Sequence, residues 1–452
     1  MRTIGLDIGT TTICASVVDG ADGTVLESRT VPNASFLTGL APWQKQQDPR
    51  RIEKTARELT EDMLRRFAPV GGIGVTGQMH GIVYFDDAGR AVSPLYTWQD
   101  GSGDQPCGDG RTYVQVMGEA SGYPLATGFG AVTHYVHRQR GEVPAEACGF
   151  CTIHDYIAMR LAGQKRPAVH PSDAASLGLF SLEQNAFDRA AVAALDMEEG
   201  LFPETVRDYV CLGRTPQGVA VFTAIGDNQA SFIGAVRDMD TAVLVNVGTG
   251  SQISLLSDRL VYDPLLETRP CVEGQFLLVG SSLCGGRAYA LLEGFFRQMM
   301  QEAGVDCGSL YPVLDRLSAG FETLPDKLHF STRFSGTRRH PEQRASITNL
   351  GIGNFTPRHF AVGVLEGTAE ELYAFYAGMT ARPGFRPETV VGSGNGIRRG
   401  EVLRRMLAAR FGAPVRVPAH TEEAAYGAAL YALVGAGAFP NIRQAQRCIR
   451  YQ

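Results

Sequence analysis

A strand–glycine turn–strand unit occurs twice in this chain, once in each half, and it constrains the fold more than any other feature. Residues 3–8 form a short apolar run that ends at Gly9, and the β-branched run 12–18 follows it. In the second half, residues 241–247 end at Gly248-Thr249-Gly250, and a further run covers 251–256. The two units are not a close sequence repeat, so what recurs is an architecture. The chain is therefore predicted to contain two α/β halves.

The other periodic segments fit the same α/β interpretation. A third strand begins at 24–27, a helix with one apolar face covers 49–67, and a strand covers 70–76. Further on, a strand at 389–391, a glycine turn at 392–396 and a helix at 401–411 follow one another. A chain of 452 residues is long enough for two to three domains. We predict a boundary near 223–227, which gives an N-terminal domain of residues 1–225 and a C-terminal domain of residues 226–452.

Net charge and cysteine content indicate which partners the protein can bind and in which cellular compartment it is expected. The formal net charge is -5, which gives no basic face for nucleic acid. Nine cysteines are scattered along the chain, and the first residues lead into a strand rather than a signal peptide. Residues 424–442 carry no charge, but they are rich in Ala and Gly and predict a helix packed on a sheet, then a loop. We expect a cytoplasmic protein with reduced thiols and neither a membrane nor a nucleic-acid partner.

The turn after the first strand has the chemistry that phosphoryl transfer requires, which is positioned phosphates, Mg²⁺ and a base. Asp7 at the end of a strand can hold Mg²⁺ through water, because this ion dehydrates reluctantly. Gly9 allows backbone amides to approach a phosphate closely, and Thr10 and Thr11 add hydroxyl groups. The alternative is a plain β-turn with Asp7 in a turn role.

Two later glycine turns offer the same kind of cradle. Gly248, Thr249 and Gly250 supply amides and a hydroxyl, although such a turn also closes ordinary hairpins. Gly392, Ser393, Gly394 and Asn395 lie between a strand and a helix, where unpaired amides favour anionic groups such as phosphates. Together with the first turn, they predict a nucleotide site formed by both halves of the chain.

Asp227 is the candidate general base. It follows the apolar stretch 219–225 and can accept the proton of a sugar hydroxyl. The alternative is that Asp227 caps a helix that begins near Asn228, which aspartate often does. Both roles are compatible, since a helix start is a rigid mount for a base.

A set of polar residues that begins just after the predicted strand 70–76 suits a sugar. Gln78, His80 and Asp100 offer groups to several hydroxyls at once, and Trp98 offers an apolar face to C–H groups. Asn228 is a further candidate for this set. The alternatives are a hydrogen-bonded histidine and a core tryptophan.

These pieces occur in the order seen in the FGGY family of carbohydrate kinases, which the chain resembles over nearly its whole length. Residues 7–11 resemble that family's first phosphate loop, 248–250 its second, and 392–394 its adenosine loop. Asp227 matches the family's base, and Gln78-Met79-His80 matches the substrate segment of its ketose kinases. The resemblance implies an α/β fold of two ribonuclease H-like domains, of the actin, hexokinase and Hsp70 type, with a central cleft. It also implies ATP and Mg²⁺ as cofactors, a small sugar as partner, and assembly as a homodimer.

Several short segments are similar to the sedoheptulokinases of that family. They are residues 98–101, 126–130, 152–156, 174–176, 226–227 with 229–231, and 339–341 with 345–346. The similarity implies phosphorylation of sedoheptulose to sedoheptulose 7-phosphate, with xylulose or another pentulose as the alternative. Two positions depart from the family: Ser102 stands where a basic residue often follows Trp-x-Asp-Gly, and Arg398 or Gly400 stands near a frequent asparagine.

Three other functions are weighed against this hypothesis. Cys148, Cys151 and His154 have the spacing of zinc ligands, but a structural zinc site usually takes four and no second close pair is present. A sugar-sensing regulator on the same fold would add a DNA-binding helix-turn-helix, which this chain does not show. A phosphohydrolase would not need the polar segments at Gln78 and Trp98.

Overall fold

The computed structural model describes residues 1–108, 110–337, 340, 342–380 and 387–452. Arg339 and Pro341 of the segment 339–341 lie outside these residues. The strands are β1 Arg2–Ile8, β2 Thr12–Asp19, β3 Thr24–Pro32, β4 Gln46–Gln47, β5 Val70–Gly77, β6 Val83–Phe85, β7 Leu95–Tyr96, β8 Gly149–Cys151, β9 Ala168–Val169, β10 Phe180–Ser181, β11 Ala186–Phe187, β12 Glu204–Thr205, β13 Cys211–Arg214, β14 Ala220–Phe222, β15 Ile225–Gly226, β16 Ala242–Val247, β17 Ser251–Ser257, β18 Glu267–Pro270, β19 Phe276–Ser282, β20 His329–Ser331, β21 Ser346–Thr348, β22 Thr389–Ser393 and β23 Val415–Arg416. The helices are α1 Pro49–Phe67, α2 Tyr113–Ser121, α3 Gly130–Arg140, α4 Ile153–Leu161, α5 Pro171–Leu177, α6 Arg189–Ala194, α7 Asp227–Ala235, α8 Gly286–Glu302, α9 Tyr311–Ser318, α10 Pro357–Met379, α11 Asn395–Arg399, α12 Glu401–Phe411, α13 Glu423–Gly435 and α14 Ile442–Gln446.

The chain divides into two compact units, each built from separated segments. Unit 1 contains Met1–Arg237, Arg269–Phe276 and His420–Arg450, and unit 2 contains Asp238–Thr268, Leu277–Ala419 and Tyr451–Gln452. The units differ from a single cut between residues 225 and 226 because the chain returns to unit 1 after residue 419. The division into domains 1–225 and 226–452 stays a prediction of where functional domains meet.

Unit 1 is built on a seven-stranded sheet with helices on both faces. The strand order is β13-β14-β5-β1-β2-β3, and β15 also pairs with β5. Along β1 the side chains alternate as the strand period requires. Ile4 and Leu6 are buried in the core that contains Ile52 of α1. On the other face, the Thr3 hydroxyl donates to the carbonyl of Ala429 on α13, at 2.9 Å.

Glycine allows α13 to lie directly on this sheet. A Cβ atom at Gly5 would stand 1.7 Å from the carbonyl oxygen of Ala425, and one at Gly74 would stand 2.0 Å from that of Ala428. Such distances leave no room for any side chain, so the helix packs against bare strand backbone. The uncharged, small-residue segment is thus a helix packed on a sheet, as predicted. Among the described residues, no helix has the length and apolarity needed to cross a membrane.

Unit 2 is built on a six-stranded sheet in the order β18-β19-β17-β16-β22-β23. β16 and β17 form an antiparallel hairpin, and β22 runs parallel to β16. Helices α10 and α12 cover the core with apolar residues that include Leu372 and Leu407. Both sheets therefore combine an antiparallel hairpin with a parallel neighbour, and the predicted strands and helices occur within a few residues of their predicted bounds.

Candidate active site

Asp7 lies near the carboxyl end of β1, next to the point where β15 ends. Residues on β5 link the two, because Thr76 pairs with both Asp7 and Ile225. The Oδ1 atom of Asp7 is buried and accepts no hydrogen bond from any residue that the structure describes. Burial, together with the charges of Asp227 and Glu422, raises the pKa of Asp7 to about 7. An unpaired carboxylate oxygen of this kind suits a cation or a water bound to one.

Asp227 is the first residue of α7, directly after β15. Gly226 occupies the N-cap position, so Asp227 does not cap the helix, and that alternative is wrong for the observed helix start. Burial raises the pKa of Asp227, while the positive charges of His154 and Arg269 oppose the shift. A carboxylate with a raised pKa, held on a helix start, has the properties of a general base.

A buried ion pair lies within electrostatic reach of both carboxylates. The Nε2 atom of His154 is 3.0 Å from Oδ1 of Asp173, and neither side chain is exposed. Burial alone would lower the pKa of His154, but the charge and hydrogen bond of Asp173 outweigh it and raise the pKa to about 9. The raised pKa favours the imidazolium form of His154, and its positive charge lowers the pKa values of Asp7 and Asp227.

Asp155 completes this cluster and bears on the zinc alternative. Its Oδ2 atom accepts a 2.7 Å hydrogen bond from Thr152, and burial raises its pKa well above the ordinary value. His154, Asp155 and Asp173 are close enough to hold a metal ion, but no cysteine is among them. Cys148 instead contacts a backbone carbonyl, at 3.7 Å. Within the described part of the chain, the spacing of Cys148, Cys151 and His154 does not produce a metal centre.

The first glycine turn is held by side chains from three segments. Asn33 donates from Nδ2 to the Gly9 carbonyl at 2.8 Å, and Gln47 donates from Nε2 to the Thr10 carbonyl at 2.8 Å. The indole Nε1 of Trp98 donates to the Thr10 hydroxyl at 3.0 Å. Thr11 is exposed at the tip of the turn. The turn and Trp98 are thus directly connected, although they are far apart in sequence.

Gln78 and His80 occupy defined positions beside this turn. Gln78 accepts from the Thr10 hydroxyl at 3.2 Å and donates to Gln47 at 2.8 Å. The His80 ring stacks on Phe129 with 4.6 Å between ring centroids. Its Nδ1 lies 2.8 Å from the carbonyl of Ser176, and its backbone has φ 73°. A positive φ in a histidine is uncommon and is held here by the stacking on Phe129 and the contact with Ser176.

The remaining predicted sugar residues differ in availability. Both carboxylate oxygens of Asp100 accept main-chain hydrogen bonds, from Lys45 at 3.0 Å and Ser102 at 3.1 Å. Met79 is buried against Gly226, where a Cβ atom would stand 2.7 Å from its sulfur. Asn228 has a buried Oδ1 atom that accepts no hydrogen bond from the described residues. Asn228 is therefore the most available of the three for a ligand, and Asp100 holds the loop that carries Trp98.

The two predicted nucleotide turns of unit 2 lie side by side. Asn246 on β16 pairs with Ser393 on β22, and its Nδ2 donates to the Ser393 hydroxyl at 2.8 Å. Gly394 has φ 79°, and a Cβ atom there would stand 2.6 Å from the Val247 carbonyl. The carbonyl of Gly248 accepts from the amide at the start of α8, at 2.9 Å. The two glycine turns thus form one continuous backbone surface at a single edge of the sheet.

Sequence reasoning found most of these residues but missed three. The sequence places His154 in the segment 152–156 and in the zinc alternative, but nothing near it predicts an ion pair with Asp173, 19 residues further along the chain. Gln47 was not predicted either. Its only signal is its place directly before Asp48 and Pro49, a helix-start pattern that points to a fixed backbone.

Comparison with known proteins decides the family. Residues 2–245 match the N-terminal domain of the FGGY family of carbohydrate kinases, and residues 239–436 match its C-terminal domain. The chain belongs to the FGGY family of carbohydrate kinases. It is therefore a sugar kinase, and the predicted family, enzyme class and two-domain α/β fold are confirmed.

Individual relatives of this FGGY kinase act on different substrates. The chain is 27% identical to the sedoheptulokinase of Mus musculus, over 95% of this chain and 97% of that protein. It is 26% identical to a xylulose kinase of Staphylococcus epidermidis, over 97% of this chain and 89% of that protein. The crystal structure of a ligand-bound xylulose kinase from Lactobacillus acidophilus has a TM-score of 0.84 and 19% identity, covering 100% of this chain and 92% of that one. The last similarity shows a shared fold.

Proposed function

We propose that this FGGY kinase transfers the terminal phosphate of ATP to sedoheptulose, giving sedoheptulose 7-phosphate. The observation that carries the proposal is the polar set beside Asp227 in unit 1, which offers hydrogen-bonding groups to a polyhydroxylated chain. The near full-length similarity to mouse sedoheptulokinase supports the choice of a seven-carbon ketose. Xylulose or another pentulose is the second candidate, favoured by the similarity to a xylulose kinase.

Asp227 is the base in this proposal. The hydroxyl oxygen of the sugar forms a bond to the γ-phosphorus as its proton passes to the Asp227 carboxylate, and the bond to the β-phosphate oxygen breaks. Burial raises the pKa of Asp227 and so makes it a stronger base. The positive charge of the neighbouring His154 opposes this rise in the pKa of Asp227.

Asp7 is the candidate magnesium residue, and its environment fits that ion. Its buried Oδ1 atom is without a hydrogen-bond partner among the described residues, and Mg²⁺ prefers carboxylate and water oxygens. Mg²⁺, when bound, neutralises charge on the oxygens of the transferring phosphate. Because Asp7 lies near the end of β1, the strand holds its carboxylate oxygens rigidly near the first phosphate turn.

Backbone groups are proposed to bind the nucleotide. In unit 1, Gly9, Thr10 and Thr11 offer amides and hydroxyls suited to a phosphate. In unit 2, Gly248, Thr249 and Gly250 offer the same kinds of group. Gly392, Ser393, Gly394 and Asn395 would contact the adenosine. Glycine at 394 lets this turn lie directly against β16, because a Cβ atom there would stand 2.6 Å from the Val247 carbonyl.

The sugar site is proposed to use Gln78, His80, Trp98 and Asn228. Met79 packs against Gly226 next to this set, and Asp100 fixes the loop that carries Trp98. We further propose a cytoplasmic location, because the nine cysteines, all within described parts of the chain, are free thiols. Assembly as a homodimer stays a prediction.

The test is ADP release by the purified full chain with ATP and Mg²⁺ across sedoheptulose, D-xylulose, D-ribulose, L-ribulose and glycerol. The proposal expects the highest kcat/KM with sedoheptulose. A preference for another sugar would keep the kinase and discard this substrate. The Asp227→Asn protein, prepared in the same way, controls for contaminating kinases.

A further inference from the structure

Four hydrogen bonds connect the first phosphate turn to the sugar segment. Three of them form a closed ring, and the fourth joins the ring from outside. The Thr10 hydroxyl donates to Gln78 Oε1 at 3.2 Å, and Gln78 Nε2 donates to Gln47 Oε1 at 2.8 Å. Gln47 Nε2 then returns to the Thr10 carbonyl at 2.8 Å. The fourth is the 3.0 Å bond from Trp98 Nε1 to the Thr10 hydroxyl. Gln47 is the member of this ring that has no assigned function.

Two groups with only one possible role determine which atom donates and which accepts in every bond of the ring. An indole nitrogen can only donate, and a backbone carbonyl can only accept. Gln47 must therefore present its amide nitrogen to Thr10 and its oxygen to Gln78. Gln78 must then present its own oxygen to the Thr10 hydroxyl, so the orientation of its amide follows from that of Gln47.

Gln47 is well placed to fix this arrangement. Its side chain is fully buried, and its backbone pairs with Leu95 on β7 and bridges to Phe36. The next residue, Asp48, caps α1 by accepting from the amides of Arg50 and Arg51. Strand pairing on one side and a capped helix on the other leave Gln47 little conformational freedom, whereas Thr10 lies on a turn.

We propose that Gln47 is a positioning residue that couples the sugar segment to the first phosphate turn. With the ring closed, the proton of the Thr10 hydroxyl is directed to Gln78 and away from a phosphate. A sugar hydroxyl that donates to Gln78 Oε1 displaces this bond and leaves the Thr10 hydroxyl able to donate to the nucleotide. Sugar and nucleotide then bind more tightly together than separately. This inference rests on the proposed function, since it takes Gln78 as a sugar contact and Thr10 as a phosphate contact.

The kinetic test compares Gln47→Met with Gln46→Met in the full-length protein. Gln46 is the preceding buried glutamine on the same short strand and takes no part in the ring. Gln47→Met should raise the KM of the sugar about tenfold, the equivalent of one hydrogen bond, and lower kcat less than threefold. It should also abolish the dependence of the ATP KM on sugar concentration. Gln46→Met should change each constant less than twofold.

A cycle with Thr10→Val separates coupling from general damage. If Gln47 acts through Thr10, the double variant should be no more impaired than the worse single variant, because both remove one connected ring. Multiplying effects would contradict the proposal, as would a Gln47→Met protein that loses thermal stability but keeps its kinetic constants.

A spectroscopic readout tests the ring without catalysis. Trp43 and Trp98 are the two tryptophans of the chain, so Trp43→Phe leaves Trp98 as a reporter bonded to Thr10. In this background, Gln47→Met should shift the Trp98 emission and weaken its response to ADP, whereas Gln46→Met should do neither. Unchanged emission in both variants would overturn the inference. If the parent enzyme phosphorylates none of the ketoses, the proposed function fails, and the emission still decides the role of Gln47.

Discussion

The glycine turn of unit 1 and the first glycine turn of unit 2 share a backbone plan but differ in the polar side chain at the strand end. Asp7-Ile8-Gly9-Thr10 corresponds to Asn246-Val247-Gly248-Thr249, and in each unit a parallel strand lies beside the first of these residues. Asn246 donates to Ser393 at 2.8 Å, whereas Asp7 leaves Oδ1 buried without a partner among the described residues. The polar side chain at the strand end is therefore hydrogen-bonded in unit 2, whereas in unit 1 it is a buried carboxylate with an unpaired oxygen.

The contrast extends beyond these two residues. Buried side-chain atoms without partners, including those of His154, Asp173 and Asn228, lie almost entirely in unit 1. Within the described residues, Ser251 is the one such residue in unit 2. Unpaired buried polar atoms reduce stability, and those of Asp7, His154 and Asn228 lie in the candidate active site. Unit 2 instead offers backbone surfaces that need close packing and no charge.

The largest effect should follow from changing Asp227. Asp227→Asn keeps the size of the side chain but removes the base, and it should lower kcat by about 10²–10⁴, the usual contribution of a general base. Steady-state ADP release with the preferred sugar measures this loss. Asp188→Asn is the control, because Asp188 caps α6 in unit 1 and asparagine can also cap. Normal turnover by the Asp227→Asn protein would remove the base from the account.

Asp7→Asn should lower activity and raise stability. The pKa of Asp7 in the folded protein, about 7, exceeds its ordinary value of 3.8, so the folded state binds the proton more tightly than the unfolded state. The free energy of unfolding should therefore fall as pH rises from about 4 to about 7, and remain lower above that range. Asp7→Asn should remove this slope and add on the order of 1–3 kcal/mol at pH 8 without divalent cations.

Thermal unfolding of both proteins between pH 4.5 and 8 measures the effect of Asp7. The matched control is Asn246→Asp, which places a carboxylate in the corresponding turn of unit 2. It should lower stability at pH 8 and leave the slope contributed by Asp7 in place. Equal slopes in the parent and Asp7→Asn proteins would show that the pKa of Asp7 is not raised in the folded state.

Gly394→Ala should act on the nucleotide. The new Cβ atom would stand 2.6 Å from the Val247 carbonyl at a φ of 79°, so the turn between β22 and α11 must move. We expect the ATP KM to rise about tenfold and the sugar KM to change less than twofold, since such a shift costs one or two kcal/mol. Gly412→Ala is the control, because its φ is 65° but its surroundings are open. Equal effects of the two variants on the ATP KM would assign the result to backbone strain alone.

The smallest effect should come from Asp100→Asn. Its oxygens accept from the amides of Lys45 and Ser102, and asparagine can replace only one of these acceptors. Loosening of the Trp98 loop should raise the sugar KM about threefold, the scale of one weakened hydrogen bond. A rise of more than about thirtyfold would instead indicate that Asp100 contacts the sugar directly.

The sequence predicted the local elements well because their signals are local. The helix 49–67 has a capping Asp48 before it, Pro49 at its first turn and a regular apolar face, and both of its bounds agree with the structure. The helix 401–411 also agrees at both ends. Asp7, Asp227 and the glycine turns were found because strand ends followed by glycine are visible in one dimension.

The residues that were missed depend on long-range contacts. The His154–Asp173 pair joins the starts of α4 and α5, and the ring through Gln47 joins three separate segments. The return of α13 to unit 1 depends on Gly5 and Gly74 of two neighbouring strands, and its own composition indicates only that it packs closely. Which surface receives such a helix is decided by the complementary small residues, and no local pattern identifies them.

Calorimetric titration of ADP into the Asp227→Asn and Gly394→Ala proteins tests the division between the two units most directly. The account predicts that Asp227→Asn, although nearly inactive, binds ADP within about twofold of the parent protein, whereas Gly394→Ala binds it about tenfold more weakly. The opposite pattern, weak ADP binding by Asp227→Asn and unchanged binding by Gly394→Ala, would contradict the assignment of the base to unit 1 and of the adenosine contacts to unit 2.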